Sequence, residues 1–197
     1  MAVRTLDGFH GTDIRSSKEI VRTGFKVSKG DQHWLGDGAY FFVKGLPPTP
    51  DVSAEKWAKA EAWDKRKGAY SYRKFAIIKV QISVDEDFYL DLNTKDGQEL
   101  FEYLRGAFIK KVVDEGYKFD NWEFKDGEII NVARNEGIIE LEVVKGNFFI
   151  KFATERIFNI NFRTPNVTIC AVFDTAKNID NHSINVIKIG EIEDEIR

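Results

Sequence analysis

The stretch GFHGT places His10 among glycines at positions 8–12, and WLGDGAYFF follows at positions 34–42. An imidazole can donate or accept one hydrogen bond at each ring nitrogen, and glycine backbone without a Cβ lets a planar ligand approach closely. Together the two segments read as two walls of one small-molecule pocket. Each fragment alone also reads as ordinary turn punctuation. The glycine pair at 36 and 38 lacks a third glycine and runs into the strand-like AYFF, with no βαβ pattern around it, which excludes a dinucleotide-binding βαβ fingerprint. Cys170 sits in the apolar run VTICAVF and reads as core rather than nucleophile. His10, His33 and His182 are scattered, and with a single cysteine they give no metal-ligand spacing, so no metal is expected.

The 197 residues are 43% hydrophobic and 13% aromatic, enough for one core, and a single domain over 1–197 is expected. A formal charge of -3 argues against a general polyanion binder. The first residues, MAVRTLDGFH, hold no apolar stretch, and no run approaches the length of a membrane span. A soluble protein of the reducing cytoplasm, with no membrane partner, is the expectation. One local cluster is basic: Lys56, Lys59, Lys65, Arg66, Lys67, Arg73 and Lys74. It reads as a solvated face, or as a landing surface for a phosphate-bearing target. The tail EIEDEIR is acidic and reads as solvated.

Three helices are legible around these residues. SSKEIVRTG carries a capping-box pattern at Ser16 and Glu19 and a stop at Gly24. SAEKWAKAEAWDKRKG runs from Ser53 to Gly68. DGQELFEYLRGAFIKKVVDEG repeats Leu100, Leu104, Phe108 and Val112 at helical spacing, with Asp96 and Glu99 as caps and Gly116 as its end. Strands are expected at FAIIKVQI and FYLDL, and after Gly116 at DGEIINVA, GIIELEVV, NFFIKFA, ERIFNINF, VTICAVF and INVIKIG. Turn signals at Asp126-Gly127, Glu136-Gly137 and Gly146-Asn147 separate them. Helices early and strands late predict an α+β fold with mostly antiparallel sheets.

The order of these pieces resembles a known family. FHGTDIRSSKEIVRTGFKVSKGDQHWLGDGAYFFV is similar to the N-terminal half of the catalytic domain of poly(ADP-ribose) polymerases and diphtheria-toxin-like ADP-ribosyltransferases. His10-Gly11-Thr12, Ile20, Gly24-Phe25, Gly36, Gly38, Tyr40-Phe41 and the helix from Ser53 fill the family template in order. The resemblance covers about the first third of the chain. It implies an ADP-ribosyltransferase-like fold: two mostly antiparallel β-sheets forming a split core with flanking helices. It also implies NAD as co-substrate, without a metal. His10 would bind the adenosine-side ribose, Gly11 backbone and Ser53 the carboxamide, and Tyr40 would stack on the nicotinamide. Thr12 joins the same site, and Trp57 is a second stacking wall.

The family's third catalytic residue is a glutamate near the start of a late strand. Aligning RTPNVTICAVFDTAKNI with that strand puts Thr168 or Ile169 at its position, and no carboxylate falls there. Glu140, Glu142 and Glu155 are the nearest substitutes in sequence. The resemblance therefore implies a mono-ADP-ribosyltransferase acting through His10, Tyr40 and Thr168 on a protein or nucleic-acid acceptor. A microbial toxin or anti-phage effector with a neutralising antitoxin is the biological setting implied. The alternatives are a catalytically inactive NAD- or ADP-ribose-binding module of the same fold and a simple NAD glycohydrolase.

Overall fold

A computed structural model describes residues 2–30, 33–116 and 125–193. The last four residues of the acidic tail lie outside them. The chain is α+β. Nine strands occur among the described residues: β1 (Val3–Asp13), β2 (Ala39–Phe42), β3 (Trp63–Asp64), β4 (Ala69–Tyr70), β5 (Lys74–Asp85), β6 (Tyr89–Asp91), β7 (Val143–Phe148), β8 (Val167–Val172) and β9 (Asn185–Glu191). Six helices accompany them: α1 (Ile14–Thr23), α2 (Pro50–Glu61), α3 (Lys95–Asp114), α4 (Asp126–Asn135), α5 (Ala153–Ile157) and α6 (Thr175–Asn178).

The two sheets are unequal. Seven strands form one sheet in the order β6-β7-β8-β2-β1-β5-β9, and β3 and β4 form a separate ribbon. All neighbours in the large sheet are antiparallel except β6 and β7. Side chains alternate across a strand, so each face of this sheet carries its own apolar cluster. On one face Ala54 and Ala58 of α2, Phe101, Leu104 and Phe108 of α3, and Ile129 and Ile130 of α4 pack on Phe42, Phe75, Ile77 and Ile169. On the other, Phe25 packs on Phe41, Ile78, Val80, Ile82 and Cys170, with Ile20 of α1 at the edge.

Several local expectations need correction. DGEIINVA is helix α4, not a strand, because Ile129, Ile130 and Ala133 recur at helical spacing and are buried on one side, while the Glu128 carboxylate accepts from the Lys125 backbone N–H. Asp126-Gly127 is accordingly a helix start rather than a turn. ERIFNINF holds α5 followed by irregular chain, and Gly146-Asn147 lies inside β7, paired with Ile169 and Thr168. The second helix begins at Pro50, whose fixed φ suits a first helical position, and ends at Glu61 before the β3–β4 hairpin. Asp13, not Ser16, caps α1 by accepting from the N–H groups of Arg15 and Ser16, and Thr94 caps α3. No helix among the described residues is long and apolar enough to cross a membrane.

Candidate functional site

β1 and β2 are neighbours but pair at a single position, Phe9 with Phe42. Towards the end of β1 and the start of β2 they part, and a cavity of about 600 Å³ opens between them. His10, Thr12, Ser16, Glu19, Ile20 and Phe25 line one end, on the sheet face that α1 covers. Trp34, Tyr40, Phe42, Trp57, Ile150 and Ile169 line the other, towards the face that α2 covers. The cavity thus passes through the sheet at its split.

His10 spans the gap. Its Nδ1 lies 3.0 Å from the carbonyl oxygen of Tyr40. A carbonyl can only accept, so Nδ1 carries the proton and Nε2 of the neutral ring is an acceptor. Burial lowers the His10 pKa and outweighs the opposing backbone bond, which keeps the ring neutral. Phe25 meets the imidazole edge-on at 5.3 Å. Thr12, two residues along the strand, faces the same way.

Tyr40 presents its ring to the cavity while its hydroxyl is committed elsewhere. The hydroxyl donates to the Gly36 carbonyl at 2.7 Å and accepts from the Leu35 N–H at 2.8 Å. Burial pushes its pKa up, so it is no proton donor to a ligand's reacting atoms at neutral pH. The bonds instead fix the 34–38 loop around the ring. Gly36 has φ +86°, and a Cβ there would meet the Asn131 side chain of α4. Asn131 Oδ1 in turn accepts from the Asp37 N–H at 2.8 Å. Trp34 and Trp57 meet edge-to-face at 6.2 Å, and the Arg156 guanidinium lies 5.5 Å from the Trp57 ring centre.

The structure brings His10, Thr12, Tyr40 and Trp57 together in one cavity. It does not bring Gly11, Ser53 or Thr168 into its lining. A Cβ on Gly11 would collide with the carbonyl of Ala54, so glycine stands there because α2 packs directly on β1. Ser53 is buried in the first turns of α2. Thr168, 2% exposed, donates to Asn147 Oδ1 at 2.7 Å and accepts from the Leu46 N–H at 2.8 Å. Its hydroxyl is engaged as both donor and acceptor and ties β7 and β8 to the loop before α2. Ile169, the other residue aligned with the family's glutamate, does line the cavity.

No substitute carboxylate reaches the aromatic end among the described residues. Glu142 is held by Lys177 and Asn178, Glu155 accepts from the Phe152 N–H, and Glu140 is not in the lining. The one carboxylate among the lining residues is Glu19, at the α1 end, where Lys26 at 3.1 Å holds it below the usual carboxylate range. In the basic cluster, Lys59, Lys67 and Lys74 are paired with Glu55, Asp64 and Glu191, as expected of a solvated face.

Sequence reasoning missed Ser28 and His33, which also line the cavity. Ser28 Oγ is 3.2 Å from His33 Nε2, and His33 Nδ1 is 3.7 Å from Asp37 Oδ1. The signal was weak, since the three residues share no recognisable spacing and meet only because Ser28 and Gly38 bridge through reciprocal backbone bonds.

No model of a known protein family matches the chain. A protein of Methanocaldococcus jannaschii, described as uncharacterized protein MJ0359, is 30% identical over 142 residues, covering 64% of this chain and 62% of the relative. The chain therefore spans less than two thirds of that relative's length.

Proposed function

We propose that this protein is a mono-ADP-ribosyltransferase: it cleaves NAD and transfers ADP-ribose to a protein or nucleic-acid acceptor, on an ADP-ribosyltransferase-like fold. The observation that carries the reading is the parting of β1 and β2, with the His10 acceptor nitrogen at one end of the cavity and the Tyr40 and Trp57 rings at the other. NAD has matching parts: ribose hydroxyls at the adenosine end and a flat cationic nicotinamide. The cavity's size and largely apolar lining suit such a ligand. Nicotinamide leaves as a neutral molecule and needs no acid. The aromatic faces bind the cationic ring in the ground state, and bond cleavage then depends on excluding water and on the geometry in which the bond is held.

The cavity's aromatic end, with Ile169 where a carboxylate would stabilise the ribosyl cation, favours a second reading: a non-catalytic module that binds NAD or ADP-ribose. Hydrolysis of NAD by water is the third. In the transferase reading the protein draws NAD from the cytoplasm and acts as a toxin or anti-phage effector, restrained by a neutralising partner. Incubation with NAD, following nicotinamide release and labelled ADP-ribose on the RNA, DNA and protein of a lysate, separates the three. Label lost in His10→Ala and Tyr40→Ala supports the transferase, release without label the hydrolase. Binding without release supports the module.

A further inference from the structure

A hydroxyl and an imidazole of the cavity lining lie next to one another, with a carboxylate behind the imidazole. Ser28 Oγ lies 3.2 Å from His33 Nε2, and Asp37 Oδ1 lies 3.7 Å from His33 Nδ1. A general-base role for His33 requires the tautomer in which Nδ1 carries the proton on the side of the Asp37 carboxylate and Nε2 accepts from the Ser28 hydroxyl, which can donate or accept. His33 Nδ1 is buried and makes no hydrogen bond, and the Asp37 carboxylate oxygen at 3.7 Å is an acceptor facing it. Such contacts are commonly long before a ligand is bound.

The relay is built, not incidental. Ser28 is pinned to the start of β2 by N–H to carbonyl bonds with Gly38 in both directions, at 3.1 and 3.0 Å. Asp37 accepts from the Gly30 N–H at 3.1 Å and donates its own N–H to Asn131. Gly127, at the start of α4, lies so close to the His33 carbonyl that a Cβ would collide with it. His33 also stands beside the stacking residue, its ring centre 5.5 Å from that of Tyr40. A nicotinamide on Tyr40 would put its ribose within reach of this wall, where the exposed Ser28 lines the cavity.

We propose that Ser28 is a built-in acceptor, activated by His33 as general base with Asp37 as its positioning residue, so that the protein ADP-ribosylates itself at Ser28. This rests on the NAD reading above. Ser28 Oγ bonds to ribose C1′ as the C1′–nitrogen bond breaks, and the electron pair of that bond leaves with neutral nicotinamide. The Ser28 proton passes to His33 Nε2 and then to water. The products are one O-linked ADP-ribose, one nicotinamide and one proton, with no co-reactant needed. The adduct occupies the cavity that made it, so the reaction limits itself.

The test incubates the full chain with NAD labelled in the adenylate, measures nicotinamide by chromatography and maps the adduct by peptide fragmentation. One ADP-ribose per chain on Ser28 is expected. Ser28→Ala should carry no adduct, and His33→Asn should form it about a hundredfold more slowly, the scale of a lost general base. Asp37→Asn should slow adduct formation with the KM for NAD unchanged, and Asp37→Glu should restore part of the rate. Nicotinamide release with no adduct, or with the adduct on another residue, overturns this inference alone. No nicotinamide release overturns the transferase reading and this inference with it.

Discussion

His10 Nδ1 donates to the Tyr40 carbonyl at 3.0 Å across a gap where the β1–β2 ladder has stopped. One side chain therefore replaces the backbone bonds that would have closed the sheet, and the space left open is the cavity. His10→Ala should cost about 1–3 kcal/mol of stability, since a carbonyl loses its partner. It should also weaken NAD at least about tenfold, or ~1.4 kcal/mol. Urea unfolding and calorimetric titration read the two effects separately, and undiminished NAD affinity would remove His10 from the ligand site.

The same burial predicts a pH dependence. The His10 pKa is lowered in the folded state, while the unfolded chain takes up its proton near the ordinary value of about 6.5. Unfolding therefore binds a proton as pH falls below about 6.5, and this part of the stability is full above that pH and declines towards the folded value. Urea midpoints compared at about pH 7.5 and 5.5 should fall more in the wild type than in His10→Asn. Parallel curves would mean the ring protonates as easily folded as unfolded.

Tyr40 should separate its ring from its hydroxyl. Tyr40→Phe keeps the stacking face and frees the Leu35 N–H and Gly36 carbonyl, so about 1–3 kcal/mol of stability is lost with only a few-fold change in NAD affinity. Tyr40→Ala should abolish most of the affinity. Tyr70→Ala, in the β3–β4 ribbon away from the cavity, should not. Equal affinities in the two alanine variants would take Tyr40 out of the pocket.

Of the two residues aligned with the glutamate position, Ile169 lines the cavity and Thr168 does not. Thr168→Glu should fail to fold stably, because a carboxylate would replace a hydrogen-bonded hydroxyl against Gly45 and Asn147. Thr168→Val should lower stability by about 1–3 kcal/mol while leaving nicotinamide release per folded molecule unchanged. A specific loss of turnover in the folded valine variant would restore Thr168 as a functional residue.

Cys170 is fully buried on β8, and burial pushes its thiol pKa up to about 12. A thiol-specific reagent at neutral pH should leave the native chain unmodified over hours and label it at once in denaturant. Fast labelling of the native protein would mean that β8 opens, since only exposure could produce a reactive thiolate.

Much of the site was legible because its residues are local. GFHGT and GAYFF are short segments whose types alone suggest a cavity wall, and the strands carrying Ile78, Val80 and Val172 are rich in β-branched residues. The α+β class followed from the same periodicity. The misreadings fall where tertiary packing outweighs local preference. EII in α4 is rich in β-branched residues, yet burying Ile129, Ile130 and Ala133 on one side stabilises a helix.

What the sequence determined by itself was which residues could bind: an imidazole, a tyrosine ring and an indole. Which of them share a cavity was decided only by the tertiary structure. Strand parity turns Ile169 into the opening and Thr168 towards Asn147, because neighbouring residues on β8 face opposite sides of the sheet. Contact between α2 and β1 claims Gly11 for packing. The loop bridge at Gly38 and the seat on α4 bring Ser28, His33 and Asp37 together, through contacts spanning up to 94 residues of chain that no local pattern encodes.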